Sequence, residues 1–507
     1  MLYPKLRKKA VRRQTVSAFG GYEHRLRTSE DAFYDTRNLS TEHYPLLSVR
    51  KRRGEYLTLT APQGIIEKDA LAYIDGGTLY YNGLATPLTG MSAGEKQLVS
   101  MGAYICVFPD KLYYNTADGA DYGSMDAVWE YTGRVRYTLC DLDGEDYPAA
   151  EESAAEPAAP QDGDYWLNTK ERTLSRYSVS MKMWVEVESV YVKLTFTTQG
   201  QIPSAFARYD GVRVSGAAEL DGTKVLYAVG GSAGTAPDYA DAESDYVVLV
   251  GSDGAWTGAV GYLGTPLFFK ENCIHRVSVS ATGAHQVGET VCRGVQRGSA
   301  KSLVVVNETL YYKSRGDVCA YQGGFPQGMS AALGGESYGH AAAGALGERY
   351  YISMRDAQGK ASLFVYDIGR GLWMREDDLA ADAFARVDDE LFCLAGNRLY
   401  ALTGTCGKPE ARVEWSAETG MLTCEYPDSK YLARIALRAW MEREAELELF
   451  VEYDSSGVWE YAGRMRVASA GSAEFPLRLR RCDHARLRLE GRGDARILSM
   501  TREVTEG

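Results

Sequence analysis

The stretch that decides the fold is a strand, a short polar turn and a returning strand: Leu303-Val304-Val305-Val306-Asn307-Glu308-Thr309-Leu310-Tyr311-Tyr312-Lys313. β-Branched and aromatic residues favour strands, and a tight polar turn between two such runs predicts a β-hairpin. The same pattern recurs at 71–82, 104–115 and, in a degenerate copy, 390–402. Hairpins repeated in this way predict an all-β protein.

The composition agrees with many short strands and turns. The 507 residues include 35 Tyr and 53 Gly, and 45% of them are hydrophobic. A chain of this length has room for roughly three domains of about 150 residues each. The hydrophobic content excludes a mostly disordered chain.

A second repeated pattern places a turn before a tryptophan, as in Tyr366–Trp373 and Tyr177–Trp184. We expect such a ring to pack between neighbouring sheets. Recurrent four-stranded units with weak self-similarity are typical of a β-propeller. We therefore predict a propeller over 55–405, with roughly six or seven blades of about 40–45 residues.

Residues 141–196 form a predicted insertion in the propeller. Its first part, 141–164, is acidic and rich in Ala and Pro, so we expect a loop that builds no core. A small β unit is predicted to follow and to run to about residue 196.

A strict alternation of charged and apolar residues marks the C-terminal region. Glu444, Glu446 and Glu448 alternate with apolar residues that include Leu447 and Leu449. Strands with one charged and one apolar face predict a separate antiparallel β-sandwich over 411–507.

Residues 1–54 are predicted to form a basic, extended N-terminal arm. Residues 1–55 carry thirteen Lys/Arg against six Asp/Glu, so the other 452 residues sum to −12 − 7 = −19. Such an arm is expected to contact a neighbouring subunit or another acidic protein or to stay solvated, and non-specific contact with the phosphates of a nucleic acid is the alternative. The residues predicted for these contacts are Lys5, Arg7, Lys8, Lys9, Arg12, Arg13, Arg50, Lys51, Arg52 and Arg53.

Neither a secretory signal nor a membrane anchor is predicted, because no long apolar stretch is present. The nine cysteines are scattered and contain no Cys-x-x-Cys pair, which predicts reduced core cysteines in a chain folded in the cytosol.

No catalytic, cofactor or metal site is predicted, and the chain is predicted not to be an enzyme. The stretch 252–256 weakly resembles the Asp-box turn of sialidase propellers, but it occurs once. A retaining glycosidase needs two carboxylates about 5 Å apart, which no pattern here provides. The six histidines look isolated, and the acidic run 238–245 lacks the spacing of a calcium loop, so a solvated loop is preferred there.

Three regions resemble a known family. The stretch 35–50 resembles the opening of β-propeller virion proteins from phages and prophages of Gram-positive gut bacteria. The stretches 415–420, 453–459 and 480–488 look like the closing sandwich of that family, and 163–184 is similar to small modules of phage structural proteins. More distantly, the layout is similar to tail nozzle or hub proteins of short-tailed phages, which form a ring around the DNA exit path.

The resemblance implies a virion structural protein located in the virion and made in the bacterial cytoplasm. It would be a tail nozzle or hub, or a head-to-tail connecting component, and its partners would be copies of itself in a ring and other virion proteins. The alternative is a phage-borne adhesin that binds host surface glycans through its many Tyr and Trp residues.

Overall fold

The structure of this chain is a computed structural model. It describes residues 11–25, 28–126, 128–141, 144–188, 190–196, 206, 211–226, 250–279, 285–424, 429–478 and 480–506. The described residues form strands and three short 3-10 turns, Ala218–Leu220, Ala300–Ser302 and Ala331–Leu333. The predicted all-β fold, a propeller with a β-sandwich, is confirmed. Within the described part of the chain, the structure has no helix of the length and apolar character that a membrane span requires.

The chain divides into two compact units. The first comprises 1–123, 252–277 and 288–507, and the second comprises 124–251 and 278–287. The predicted acidic run 238–245 falls outside the described residues.

The N-terminal segment contributes five strands to the first unit. They are β1 (Val11–Val16), β2 (Phe33–Arg37), β3 (Leu39–Ser40), β4 (Leu47–Val49) and β5 (Gly54–Thr58).

Two four-stranded antiparallel sheets follow directly, and each is a meander in chain order. The first contains β6 (Pro62–Glu67), β7 (Leu71–Asp75), β8 (Thr78–Tyr81) and β9 (Leu84–Ala85). The second contains β10 (Gln97–Met101), β11 (Tyr104–Phe108), β12 (Leu112–Asn115) and β13 (Tyr122–Ser124).

The second unit contains shorter sheets. Its strands are β14 (Val135–Cys140), β15 (Glu151–Ser153), β16 (Tyr165–Asn168), β17 (Thr173–Ser178), β18 (Met183–Glu186), β19 (Tyr191–Phe196), β20 (Gly211–Val214) and β21 (Gly222–Val225). β14 pairs with β19, β20 pairs with β21, and β15 to β18 form the small inserted sheet. Part of the predicted acidic loop is therefore a strand, because β15 pairs in parallel with β16 and the Trp166 indole donates to the Ser153 carbonyl at 3.1 Å.

Four further sheets continue the propeller, and the first three of them are meanders in chain order. Their strands are β22 (Gly258–Tyr262), β23 (Thr265–Phe269), β24 (Cys273–Val279), β25 (His285–Val291), β26 (Val304–Val306), β27 (Thr309–Lys313), β28 (Val318–Tyr321), β29 (Gln327–Gly328), β30 (Tyr338–Leu346), β31 (Arg349–Asp356), β32 (Ala361–Asp367), β33 (Leu372–Asp377), β34 (Ala383–Val387), β35 (Glu390–Ala395), β36 (Arg398–Ala401) and β37 (Lys408–Pro409). β5 pairs with β36, so a strand from near the start of the chain completes the last propeller sheet.

The sandwich takes the remaining strands. They are β38 (Glu414–Thr419), β39 (Lys430–Met441), β40 (Glu446–Tyr453), β41 (Trp459–Met465), β42 (Ser469–Pro476), β43 (Arg481–Cys482), β44 (Ala485–Arg492) and β45 (Ala495–Glu506). Leu447, Leu449 and Val451 are buried in its core, as their alternation with glutamates predicted.

The predicted N-terminal arm is corrected by the strand pairing. β1 and β4 pair with β45, β3 pairs with β4, and β2 pairs with β38, so the described part of 1–54 belongs to the sandwich. Phe33 and Leu47 are buried in the sandwich core. Burial of these side chains and completion of the sheets hold this segment within its own chain.

Aromatic side chains pack between successive propeller sheets. Tyr81 and Tyr114 lie 6.2 Å apart on the first two sheets. The Trp373 indole donates to the Met329 carbonyl of the preceding sheet region at 2.9 Å, as the turn-before-Trp pattern predicted. The other example, Trp184, differs, because it packs on Trp166 within the inserted sheet.

Candidate functional site

Two of the predicted contact residues are buried inside the chain. Arg50 and Arg53 are only 8% and 5% exposed. Arg53 lies 2.8 Å from Glu376 and 2.6 Å from Asp377, and Arg50 pairs with Glu410. Burial raises the pKa of the Asp377 carboxyl, but Arg53 outweighs this and holds that pKa below its ordinary value. The prediction that Arg50 and Arg53 contact a partner or DNA phosphates is therefore corrected: their charges are neutralised within the chain.

The remaining predicted basic residues have different locations. Arg13 pairs with Glu503 at 3.1 Å, Lys51 with Glu42 at 2.8 Å and Arg52 with Glu442 at 2.9 Å, while Arg12 lies in β1. Lys5, Arg7, Lys8 and Lys9 lie outside the described residues. The described structure therefore does not gather these residues into one basic surface.

A cavity of about 440 Å³ lies in the first unit, at the end of the propeller sheets where their first strands begin. Its lining includes Gln63 at the start of β6, Glu95 before β10, Lys301 before β26 and Asp382 before β34. The Lys301 ammonium lies 2.5 Å from the Glu95 carboxylate and donates to the Asp382 carbonyl at 2.9 Å. The lysine is therefore neutralised inside the chain.

The opposite end of these sheets carries exposed apolar side chains. Successive strands are antiparallel, so the turns after the first and third strands of a sheet lie away from the cavity. Leu84, Met101, Leu263 and Phe325 lie at such turns, and their exposed fractions range from 60% to 74%. We call these four residues the apolar turn end. Turns are normally polar, so large apolar side chains exposed at turns of four different sheets are candidates for contact with a partner.

Leu263 occupies an unfavourable backbone conformation as well. It lies with Gly264 in the two-residue turn between β22 and β23, with φ angles of 48° and 74°. Such turns favour Asn, Asp or Gly, because a larger side chain is strained in the left-handed region. An exposed, strained leucine does not stabilise the isolated chain, and the Leu-Gly pair between two strand-like runs is a sequence signal that could have found it.

A mixed cluster of possible metal ligands lies in the sheet β22 to β25. The ligand atoms of Cys273, His275 and Glu289 lie within 4.8 Å of one another. Cys273 and His275 are buried, while the Glu289 side chain is 37% exposed. In the sequence, His275 looks isolated. The missed signal was Cys-x-His on a strand, a spacing that places both side chains on one face.

The fold and these surfaces define an all-β propeller protein with an appended sandwich. Similar solved structures include an exo-β-1,3-galactanase from Phanerochaete chrysosporium, at 9% identity and a TM-score of 0.20, covering 47% of this chain and 78% of that one. A family 43 arabinoxylan arabinofuranohydrolase from Bacillus subtilis shows 9% identity and a TM-score of 0.18, covering 87% and 96%. The extracellular domain of a hybrid two-component system from B. thetaiotaomicron shows 11% identity and a TM-score of 0.24, covering 89% and 69%. No family model and no curated protein matches the chain.

These comparisons contradict the prediction that the chain is not an enzyme, because glycoside hydrolases are prominent among the similar structures. At these TM-scores and identities, the likeness transfers neither a reaction nor a catalytic residue to this chain. The resemblance to phage virion proteins stays a prediction.

Proposed function

We propose that this chain is a phage virion structural protein, a tail nozzle or hub or a head-to-tail connecting component, that assembles as a ring around the DNA exit path. The observation that carries the proposal is Leu263, a large apolar side chain that is exposed and held at positive φ. In the proposed assembly, the apolar turn end is covered by a copy of this chain or another virion protein.

The free energy of burial supports a docking role for this end. Removing apolar surface from water contributes about 25 cal/mol per Å², so burying four large side chains contributes several kcal/mol to an interface. Strained residues persist where function requires them. Leu263 is both exposed and strained. A role in an interface explains this combination, whereas the isolated chain gains nothing from it.

The charge distribution supports protein contacts more than DNA binding. Formal net charge is −12, and the described basic residues of the N-terminal segment pair with carboxylates of the same chain. An acidic protein repels the DNA backbone and so suits a passage better than a binding surface. Contact with packaged DNA in this proposal is therefore non-specific.

Electron microscopy of purified phage particles, labelled with gold-conjugated antibody to this chain, tests the proposal. We expect label at one fixed site on intact particles and none on particles from a phage that lacks the gene. Absence of the chain from particles that infect normally contradicts the proposal.

An aromatic pair favours the alternative, a glycan-binding protein. Trp256 is 52% exposed and Phe268 is 40% exposed, and their rings meet edge to face at 5.9 Å. Exposed aromatic faces are suited to stacking on sugar rings. If the purified chain binds cell-wall polysaccharide, and Trp256→Ala abolishes that binding while Tyr461→Ala does not, the adhesin is favoured over the virion component.

A further inference from the structure

We propose that Cys273, His275 and Glu289 form a binding site for one Zn²⁺ ion. The site lies within the sheet β22 to β25 and is independent of the proposed virion role.

Strand geometry brings the three residues together. Cys273 and His275 are two residues apart on β24, so their side chains project from the same face. The Cys292 amide donates to the Asn272 carbonyl at 3.0 Å. In an antiparallel ladder, moving three residues back from Cys292 and three residues forward from Asn272 keeps the two strands in register. Glu289 of β25 therefore lies opposite His275 of β24.

The distances fit tetrahedral coordination. The His275 Nε2 atom lies 3.4 Å from Cys273 Sγ and 3.9 Å from Glu289 Oε2. Zinc bonds of about 2.0–2.3 Å to N, O and S ligands require neighbouring ligand atoms to be roughly 3.4–3.6 Å apart. The Cys273 Sγ atom and the Glu289 carboxylate lie within 4.8 Å of each other, so the partly exposed Glu289 side chain must move inward by up to about 1 Å to complete this arrangement.

The buried His275 ring has few polar partners, and a bond from its Nε2 atom to a metal leaves the ring proton on Nδ1. The residue is 1% exposed, and its Nδ1 atom has no hydrogen-bond partner among the described residues. Its Nε2 atom contacts the Ser252 hydroxyl at 3.0 Å and the Cys273 thiol. A buried imidazole with weak partners is costly, whereas a metal bond to Nε2 gives it one strong interaction.

The charges and donor types select zinc. A Cys thiolate and a Glu carboxylate supply two negative charges, which neutralise a divalent ion in this mostly buried site. The Lys270 ammonium, which shares Ser252 and Trp256 as neighbours with His275, donates to the Ser252 carbonyl and lies 4.9 Å from the centre of the Trp256 ring. Sulfur and imidazole ligands favour Zn²⁺, whereas Ca²⁺ and Mg²⁺ require sites built from oxygen.

The test measures Zn²⁺ binding by the purified, chelator-treated full chain in competition with a chromogenic chelator. Loss of a residue that only hydrogen-bonds to a metal ligand weakens metal binding about 10–100-fold. Cys273→Ala and Glu289→Gln each remove a ligand itself, so we expect them to weaken Zn²⁺ binding at least about tenfold. The matched controls are Cys106→Ala, another buried strand cysteine, and Glu308→Gln in an exposed turn. Both controls should bind one Zn²⁺ per chain as the unaltered protein does.

Co²⁺ provides a second readout that does not depend on affinity. We expect the unaltered chain and the controls to show a thiolate-to-cobalt charge-transfer band, and Cys273→Ala to lack it while circular dichroism remains native. No stoichiometric binding by the unaltered chain, or equal binding and an equal band in Cys273→Ala, overturns the proposal.

Discussion

The Arg53 guanidinium lies 2.8 Å from the Glu376 carboxylate, and both side chains are buried. Arg53 lies between β4 of the sandwich and β5 of the last propeller sheet, and Glu376 lies on β33. This pair therefore fixes the N-terminal segment to the propeller at the point where the chain passes from one domain to the other.

Removal of Arg53 is expected to destabilise the first unit strongly. Arg53→Ala leaves Glu376 and Asp377 buried without their main partner, and loss of one member of a buried ion pair costs about 3–5 kcal/mol. Arg52→Ala removes an exposed pair with Glu442 and should cost less than about 1 kcal/mol. Urea denaturation measures both changes, and equal small losses would show that the buried pair does not anchor the segment.

Trypsin provides a test of the corrected N-terminal segment. We expect the bonds after Arg50 to Arg53 to resist cleavage in the native protein, because the Arg53 amide donates to Glu410 at 2.8 Å and the Arg53 carbonyl accepts from the Glu410 amide at 2.9 Å. The exposed turn at Lys170 should be cut before these bonds in the same digest. Early cleavage at 50–53, before Lys170, would instead indicate a detached arm.

Lys313 should make stability depend on pH in the alkaline range. Burial lowers the pKa of Lys313 from its ordinary value of 10.5 to about 8. Between these values the unfolded chain binds more protons than the folded one, so stability rises as pH increases from about 8 to 10.5, by at most about 3 kcal/mol. Below pH 8 the Lys313 ammonium is charged in the folded chain, so its burial lowers the free energy of unfolding by the full amount.

The measurement compares the unaltered chain with Lys313→Met at pH 7 and pH 10. Other titrating groups are common to both proteins and cancel in the difference. We expect the free energy of unfolding of Lys313→Met to exceed that of the unaltered chain more at pH 7 than at pH 10. A difference that does not change with pH shows that Lys313 keeps its ordinary pKa.

Leu263→Asn should stabilise the isolated chain. Asn tolerates the left-handed region, so the substitution relieves strain worth up to about 1 kcal/mol and removes an exposed apolar side chain. Leu84→Asn, at an exposed site without positive φ, should bring no such gain. A loss of stability in Leu263→Asn, measured by thermal unfolding, would mean that Leu263 supports the fold rather than a partner.

Local patterns in the sequence predicted much of the fold. The hairpin at 303–313 became β26 and β27, and alternation around Leu447 gave a sandwich strand with one buried face. The sandwich strands that come from the N-terminal segment could not be predicted in this way. β1, for example, pairs with β45, and the two strands lie almost the whole chain apart in sequence. A strand's pattern shows which face is buried, but not which distant strand is its partner.

The candidate sites were harder to predict for the same reason. Cys273 and His275 form a visible local pair, but Glu289 comes from the next strand and meets them only through the sheet register. Leu263 and Phe325 look like ordinary turn residues until the strand directions place them at the same end of the sheets. The burial of Arg53 depends on β33, which lies more than three hundred residues away in sequence.

Maleimide labelling of engineered cysteines tests the docking role of the apolar turn end most directly. The reactivities of Phe325→Cys and Leu263→Cys are compared between the free chain and purified particles. Val458→Cys, at an exposed sandwich residue, is the control. The unaltered chain gives the background from its own nine cysteines. We predict that both turn-end cysteines react in the free chain and are protected in particles, while Cys at 458 reacts in both. Equal reactivity of the turn-end cysteines in free chain and particles contradicts the account.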